Sequence, residues 1–76
     1  MPKLKVLSGK SIIKMLQRFG FVIVHTNGSH VRMKLEDHGV TVPLHFELRR
    51  KTLLDLYREL EPALSTEDLD EMFYTK

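Results

Sequence analysis

A chain of 76 residues with no cysteine has no disulfide framework, thiolate nucleophile or cysteine-based zinc site. A single domain of this size buries only about 60% of the surface its unfolded chain exposes, so residues 1–76 are expected to form one domain whose active site, if any, is a surface groove or an open sheet face. The net charge of +2 divides into a balance of +7 over residues 1–58 and −5 over residues 59–76, and a basic body suggests a polyanionic ligand.

The first expected element is a helix over SGKSIIKMLQRFG. Ser8 is its N-cap, and Gly20 stands where a C-terminal glycine cap belongs. Ile12, Met15, Leu16 and Phe19 recur at helical spacing and form the buried stripe. Lys10, Lys14 and Arg18 lie opposite, as a solvated face or as one that meets phosphates. Gly9-Lys10-Ser11 matches the end of a phosphate-binding loop, but that motif also needs a glycine at position 4, where this chain has Leu4.

Three strands follow. FVIVHT is rich in β-branched residues, and Asn27-Gly28 predicts a type I′ turn. SHVRMKL alternates apolar and polar residues. Glu36-Asp37-His38-Gly39 makes the next turn, and VTVPLH is the third strand. Pro43 lacks a backbone donor, which places that strand at an edge. A second helix is expected to begin near Thr52, with Asp55 completing a capping-box variant. Its stripe is Leu53, Leu56, Tyr57 and Leu60, and Pro62 ends it. A short third helix is capped by Ser65 and turns Leu69, Met72 and Phe73 inward. The resulting class is α+β in two layers, ordered α-β-β-β-α plus a short C-terminal helix. Both main helices should cover one face of a three-stranded antiparallel sheet.

Turn lengths set the expected register. They pair His25 with His30, Val22 with Met33, Met33 with Val42 and His30 with His45. The core face would then hold Val22, Val24, Val31, Met33, Leu35, Val40, Val42 and Leu44. The open face would carry His25, His30 and His45 in a row, with Arg32 and Lys34 beside them.

Such a row admits three uses. It can be a surface with no task. It can be a three-imidazole metal site, although the sequence offers no carboxylate to orient those ligands and two cations would repel a divalent ion. It can also do acid–base chemistry on RNA. Imidazole titrates near neutrality, and the ribose 2′-hydroxyl is a built-in nucleophile. The protein then needs only to move protons and to stabilise charge at phosphorus, which suits Arg32 and Lys34. Arg49, Arg50 and Lys51 ahead of the second helix oppose its dipole unless a phosphate binds there.

With SGKSIIKMLQRFGF, Gly28-Ser29-His30, VTVPLH and KTLLDLYREL in this order, the chain resembles the HicA (YcfA-like) family of small bacterial toxins, ribonucleases that act on mRNA. The likeness covers nearly the whole length. It implies a fold like a double-stranded-RNA-binding domain, a catalytic histidine at His30, no metal cofactor and neutralisation by a HicB-like antitoxin. Apart from the resemblance, no cofactor is expected, and a cytoplasmic site of action is the default expectation for a sequence without a signal-peptide or membrane-span pattern. The family's VPxH pattern matches Val42-Pro43-Leu44-His45. The expected RNA contacts are Gly28, Ser29, Arg32, Lys34 and His45, with Lys10 and Lys14 further out. The chain departs from the usual pattern at Asn27, where a basic residue is common, and at Phe46-Glu47-Leu48, where a glycine-containing linker is common. A non-catalytic RNA-binding module on the same fold is the competing expectation, because duplex RNA is held mostly by shape and phosphate contacts. No segment is long and apolar enough for a membrane span.

Overall fold

Ser8 starts the first helix, α1, which runs Gly9–Arg18. The Ser8 hydroxyl accepts from the Ser11 backbone N–H at 3.1 Å, and the Ser8 N–H donates back to the Ser11 hydroxyl at 3.2 Å. Two otherwise orphaned donors are thereby satisfied, with serine in the usual glutamate position of a capping box. At the far end Gly20 has a φ of 101°. Its N–H donates to the Gln17 carbonyl at 3.1 Å, and the Phe21 N–H donates to the Leu16 carbonyl at 3.0 Å. This is a Schellman closure. Leu16 and Phe21 are both buried, so the stop signal also delivers an aromatic to the core. Phe21 serves this closure rather than the strand, which starts one residue later.

A computed structural model describes residues 2–75. After α1 come β1 (Val22–Asn27), β2 (His30–Leu35), β3 (His38–Pro43), α2 (Arg50–Leu60) and α3 (Thr66–Phe73). The sheet is antiparallel in the order β1-β2-β3, so β3 is an edge strand as Pro43 predicts. The class is the expected two-layer α+β arrangement of α-β-β-β-α with a short final helix.

The registers differ from those expected. Gly28 and Ser29, not Asn27 and Gly28, form the first loop, and Asn27 pairs with His30. Gly28 has a φ of 59° and neither Asn27 nor Ser29 has a positive φ. A positive φ at the first central residue alone is the type II′ pattern, not I′. The second loop is Glu36-Asp37, with Leu35 opposite His38. Both hairpins thus slide by two residues from the expected pairing. A two-residue slide changes partners but leaves each side chain on its face, because the strand period is two.

β1 also breaks the period. Between the pairs Ile23–Met33 and His25–Arg32 the register shifts and Val24 has no partner. This bulge flips the parity of the strand's first half. Val22 now sits opposite Lys34, on the open face. The helices pack over the β3 side of the sheet, and every residue of β1 is exposed. Val22 and Val24, expected in the core, are therefore in solvent. Leu44 is exposed too, because β3 ends at Pro43. From the expected sheet face, Val31, Met33, Val40 and Val42 are buried and Leu35 is partly so. Leu48, in the connection to α2, is buried, its N–H donating to the Leu7 carbonyl at 2.8 Å.

α2 begins two residues before Thr52. Arg49 is its N-cap and makes no side-chain capping bond. Thr52 therefore lies inside the first turn, and Asp55 pairs with Lys51 at 3.0 Å instead of capping. Leu53, Leu56 and Leu60 face the core, and the helix stops ahead of Pro62 as expected, although Glu61 itself keeps helical geometry (φ −54°, ψ −39°) and is not pushed out of it by the proline. Ser65 caps α3 by accepting from the Asp68 N–H at 3.1 Å. Leu69, Met72 and Phe73 are buried. Tyr57 donates its phenolic hydrogen to Asp70 at 2.7 Å, fastening α3 to α2. That bond, which favours the protonated phenol beside a carboxylate, is the main reason its pKa is pushed up to about 12.

Candidate functional site

Alternation along β2 builds the site. Val31 and Met33 point into the core, and His30, Arg32 and Lys34 point to the uncovered face and are exposed. The pairing sets their neighbours. His30 lies between Asn27 on β1 and Pro43 on β3. Arg32 lies between His25 and Thr41, and Lys34 between Val22 and Gly39. None of these paired positions carries a carboxylate.

The guanidinium of Arg32 is laid across β3. Its Nη1 donates to the Thr41 hydroxyl at 3.1 Å. A Cβ at Gly39 would collide with Nη2 and come within 2.9 Å of Cζ. Gly39 is thus the gap in which the group rests, a use of glycine where another group must approach the backbone. The single ion pair among the described residues is Lys51–Asp55, so Arg32 and Lys34 have no salt-bridge partner. Two cations without a counter-charge on one sheet face favour an anion there.

The histidines do not form the expected row. His25 is diagonal to His30 rather than opposite it, a separation of about 7–8 Å in sheet geometry. His45 has left the sheet, two residues beyond the end of β3, and its carbonyl accepts from the Gly9 N–H at 3.0 Å. The reason is the two-residue slide, which puts Pro43 where His45 was expected. Among the described residues no three of His, Asp and Glu converge as metal ligands, so the three-imidazole set does not assemble. His38 belongs to the other side, where its Nε2 donates to the Glu59 carbonyl at 2.6 Å.

Gly28 and Ser29 form the loop that leads into His30. The Ser29 carbonyl accepts from the Leu44 N–H at 2.6 Å, which ties the connection carrying His45 to that loop. Gly28 has empty space where a Cβ would lie, so its glycine is required by φ and not by crowding. The structure therefore brings together Gly28, Ser29, His30, Arg32 and Lys34, with His45 at their border. Lys10 is exposed in the first turn of α1, next to the residue bonded to His45. Lys14 is exposed on α1, whose buried side joins the core under the opposite sheet face, so it is not part of this surface. Gly39 and Thr41 were not singled out in the sequence. Gly39 read as the last residue of a turn, and only the structure places it inside β3.

The family model described as HicA toxin of bacterial toxin-antitoxin matches residues 9–61, from the start of α1 to the cap that ends α2. No curated protein matches the chain.

Proposed function

The chain belongs to the HicA toxin family, and we propose that it is a metal-independent endoribonuclease that cuts mRNA on the open face of its sheet. The observation that carries this reading is the alternation of β2, which sets an exposed imidazole beside two cations that have no salt-bridge partner. In the reaction, His30 acts as general base or acid. As base it takes the proton of a ribose 2′-hydroxyl. The 2′-oxygen bonds to the adjacent phosphorus, the bond from phosphorus to the 5′-oxygen breaks, and that oxygen receives a proton. The products are a 2′,3′-cyclic phosphate and a 5′-hydroxyl. Arg32, held by Thr41 over Gly39, and Lys34 offset the charge that gathers on the phosphoryl oxygens. The second proton transfer falls to His25, the other imidazole paired on this face, or to water.

The site of action is the cytoplasm, where mRNA is; no described helix is long and apolar enough to cross a membrane. The neutralising partner is a HicB-like antitoxin that covers the open face, with acidic groups meeting Arg32 and Lys34. The test is incubation of the purified protein with RNA in excess EDTA, followed by analysis of the ends. Cleavage leaving cyclic phosphates is expected. RNA that is retained but uncut would favour the non-catalytic module, and cleavage abolished by EDTA would restore a metal.

A further inference from the structure

The chain has six aromatic side chains, and five of them are buried or partly buried. Phe46 is the exception, with a relative exposure of 101%. Burying such a ring is ordinarily worth about 1.5–3 kcal/mol, so leaving it in water forgoes a stabilising contact. Nor is the ring on a loose tether. The His45 carbonyl before it accepts from Gly9, and the Leu48 N–H after it donates to Leu7. Leu48 is buried. The connection thus inserts its leucine and displays its phenylalanine.

Its surroundings are basic and close to His30. Leu44 is bonded to Ser29, the residue before His30, and two residues of chain reach at most about 7 Å from there to Phe46. His45 precedes the ring. Arg49, Arg50 and Lys51 follow it at the start of α2, where no side chain caps the helix, and Lys10 stands in the first turn of the neighbouring α1. Glu47 is the one carboxylate in the connection. An exposed ring on an anchored backbone among cations matches what an unpaired nucleobase and its phosphates require: a π-face for stacking and positive charge along the backbone. In a duplex the bases are already stacked on one another and present no free face.

We propose that Phe46 is a stacking platform for an unpaired base beside the scissile phosphate, so that this site takes single-stranded RNA. The inference rests on the endoribonuclease reading for the word scissile, but not for the binding. The test compares Phe46→Ala, Phe46→Leu and Phe46→Trp. Since the side chain is fully exposed, all three should keep the wild-type Tm. On a single-stranded RNA, Phe46→Ala and Phe46→Leu should raise KM about 5- to 150-fold with little change in kcat. Phe46→Trp should restore KM, and annealing the complementary strand should erase the difference among the proteins. A second readout needs no cleavage. In a His30→Ala background, the fluorescence of a 2-aminopurine placed in the single strand should be quenched with Phe46 or Trp at this position and not with Ala. Equal KM in all three variants with RNA still cut would overturn the proposal and leave the nuclease standing. Absence of cutting by the wild type, with Phe46-dependent quenching retained, would do the reverse. Variants that bind RNA normally but lose an antitoxin would also overturn it, assigning the ring to a protein partner.

Discussion

Val31 and Met33 are 3% and 0% exposed, and the residues that alternate with them on β2, His30, Arg32 and Lys34, stand in solvent. The two faces share one backbone and one set of ladder hydrogen bonds. They differ in what covers them: α1, α2 and α3 supply the apolar lid on one side, and among the described residues no element covers the other. The packed face sets stability and the open face sets chemistry. A strand with period two can serve both without compromise, because no side chain has to belong to both faces. Substitutions on one face should therefore leave the property of the other unchanged.

The largest effect on stability is expected from Met33→Ala. Removing this buried side chain should lower the unfolding free energy by about 2–5 kcal/mol, read from urea denaturation. Cleavage per folded molecule should stay at the wild-type value. A loss of cleavage in excess of the folded fraction would show that the faces are coupled.

Gly39→Ala tests the reverse on β3. The added methyl must displace the Arg32 guanidinium, so kcat/KM for RNA should fall about tenfold, chiefly through kcat, as expected for loss of a charge-assisted contact to the developing charge. Arg32→Ala should do the same, and the double variant should be no worse than either alone. Additive losses would mean that Gly39 does not act through Arg32.

Away from both faces, the Tyr57–Asp70 bond offers a titration. The phenol is pushed up to about 12, chiefly by that hydrogen bond. Its folded pKa lies above the unfolded value of 10.0, so the stabilisation is present below pH 10 and is lost as the pH climbs toward 12. Ultraviolet titration should show one of the two tyrosines ionising late, and Asp70→Asn should return it toward the ordinary range.

The smallest effect is expected at the loop between β2 and β3. Glu36 has a φ of 53°, close to the 59° of Gly28 in the other loop. Side chains other than glycine are strained there, so Glu36→Gly should stabilise the fold by up to about 1 kcal/mol in the same urea assay.

Much of this organisation can be read before folding, and the divisions are physical. The ends of α1 and α3 were legible because serine caps and a glycine stop act within a few residues. The open-face parity of His30, Arg32 and Lys34 was legible because alternation survives a two-residue slide. The partners were not. Gly28 could occupy either central position of a tight turn, and that choice moved His25 from opposite His30 to opposite Arg32, while the placement of the second loop at Glu36-Asp37 moved Pro43 into the place expected for His45. The bulge at Val24 leaves no mark in a run of three β-branched residues, so Val22 and Val24 read as core. Arg49 starts α2 without a side-chain cap, while Thr52 offers a better cap that goes unused. The rest of Arg32's support, Gly39 and Thr41, depended on knowing which residues of β3 lie opposite it.

The most direct measurement is the RNA cleavage rate of His30→Ala beside its thermal unfolding. With His30 as the acid–base group on an uncovered face, the rate should fall about 10²- to 10⁴-fold while Tm stays at the wild-type value. A variant that unfolds at the wild-type temperature and still cuts RNA at the wild-type rate would contradict the assignment.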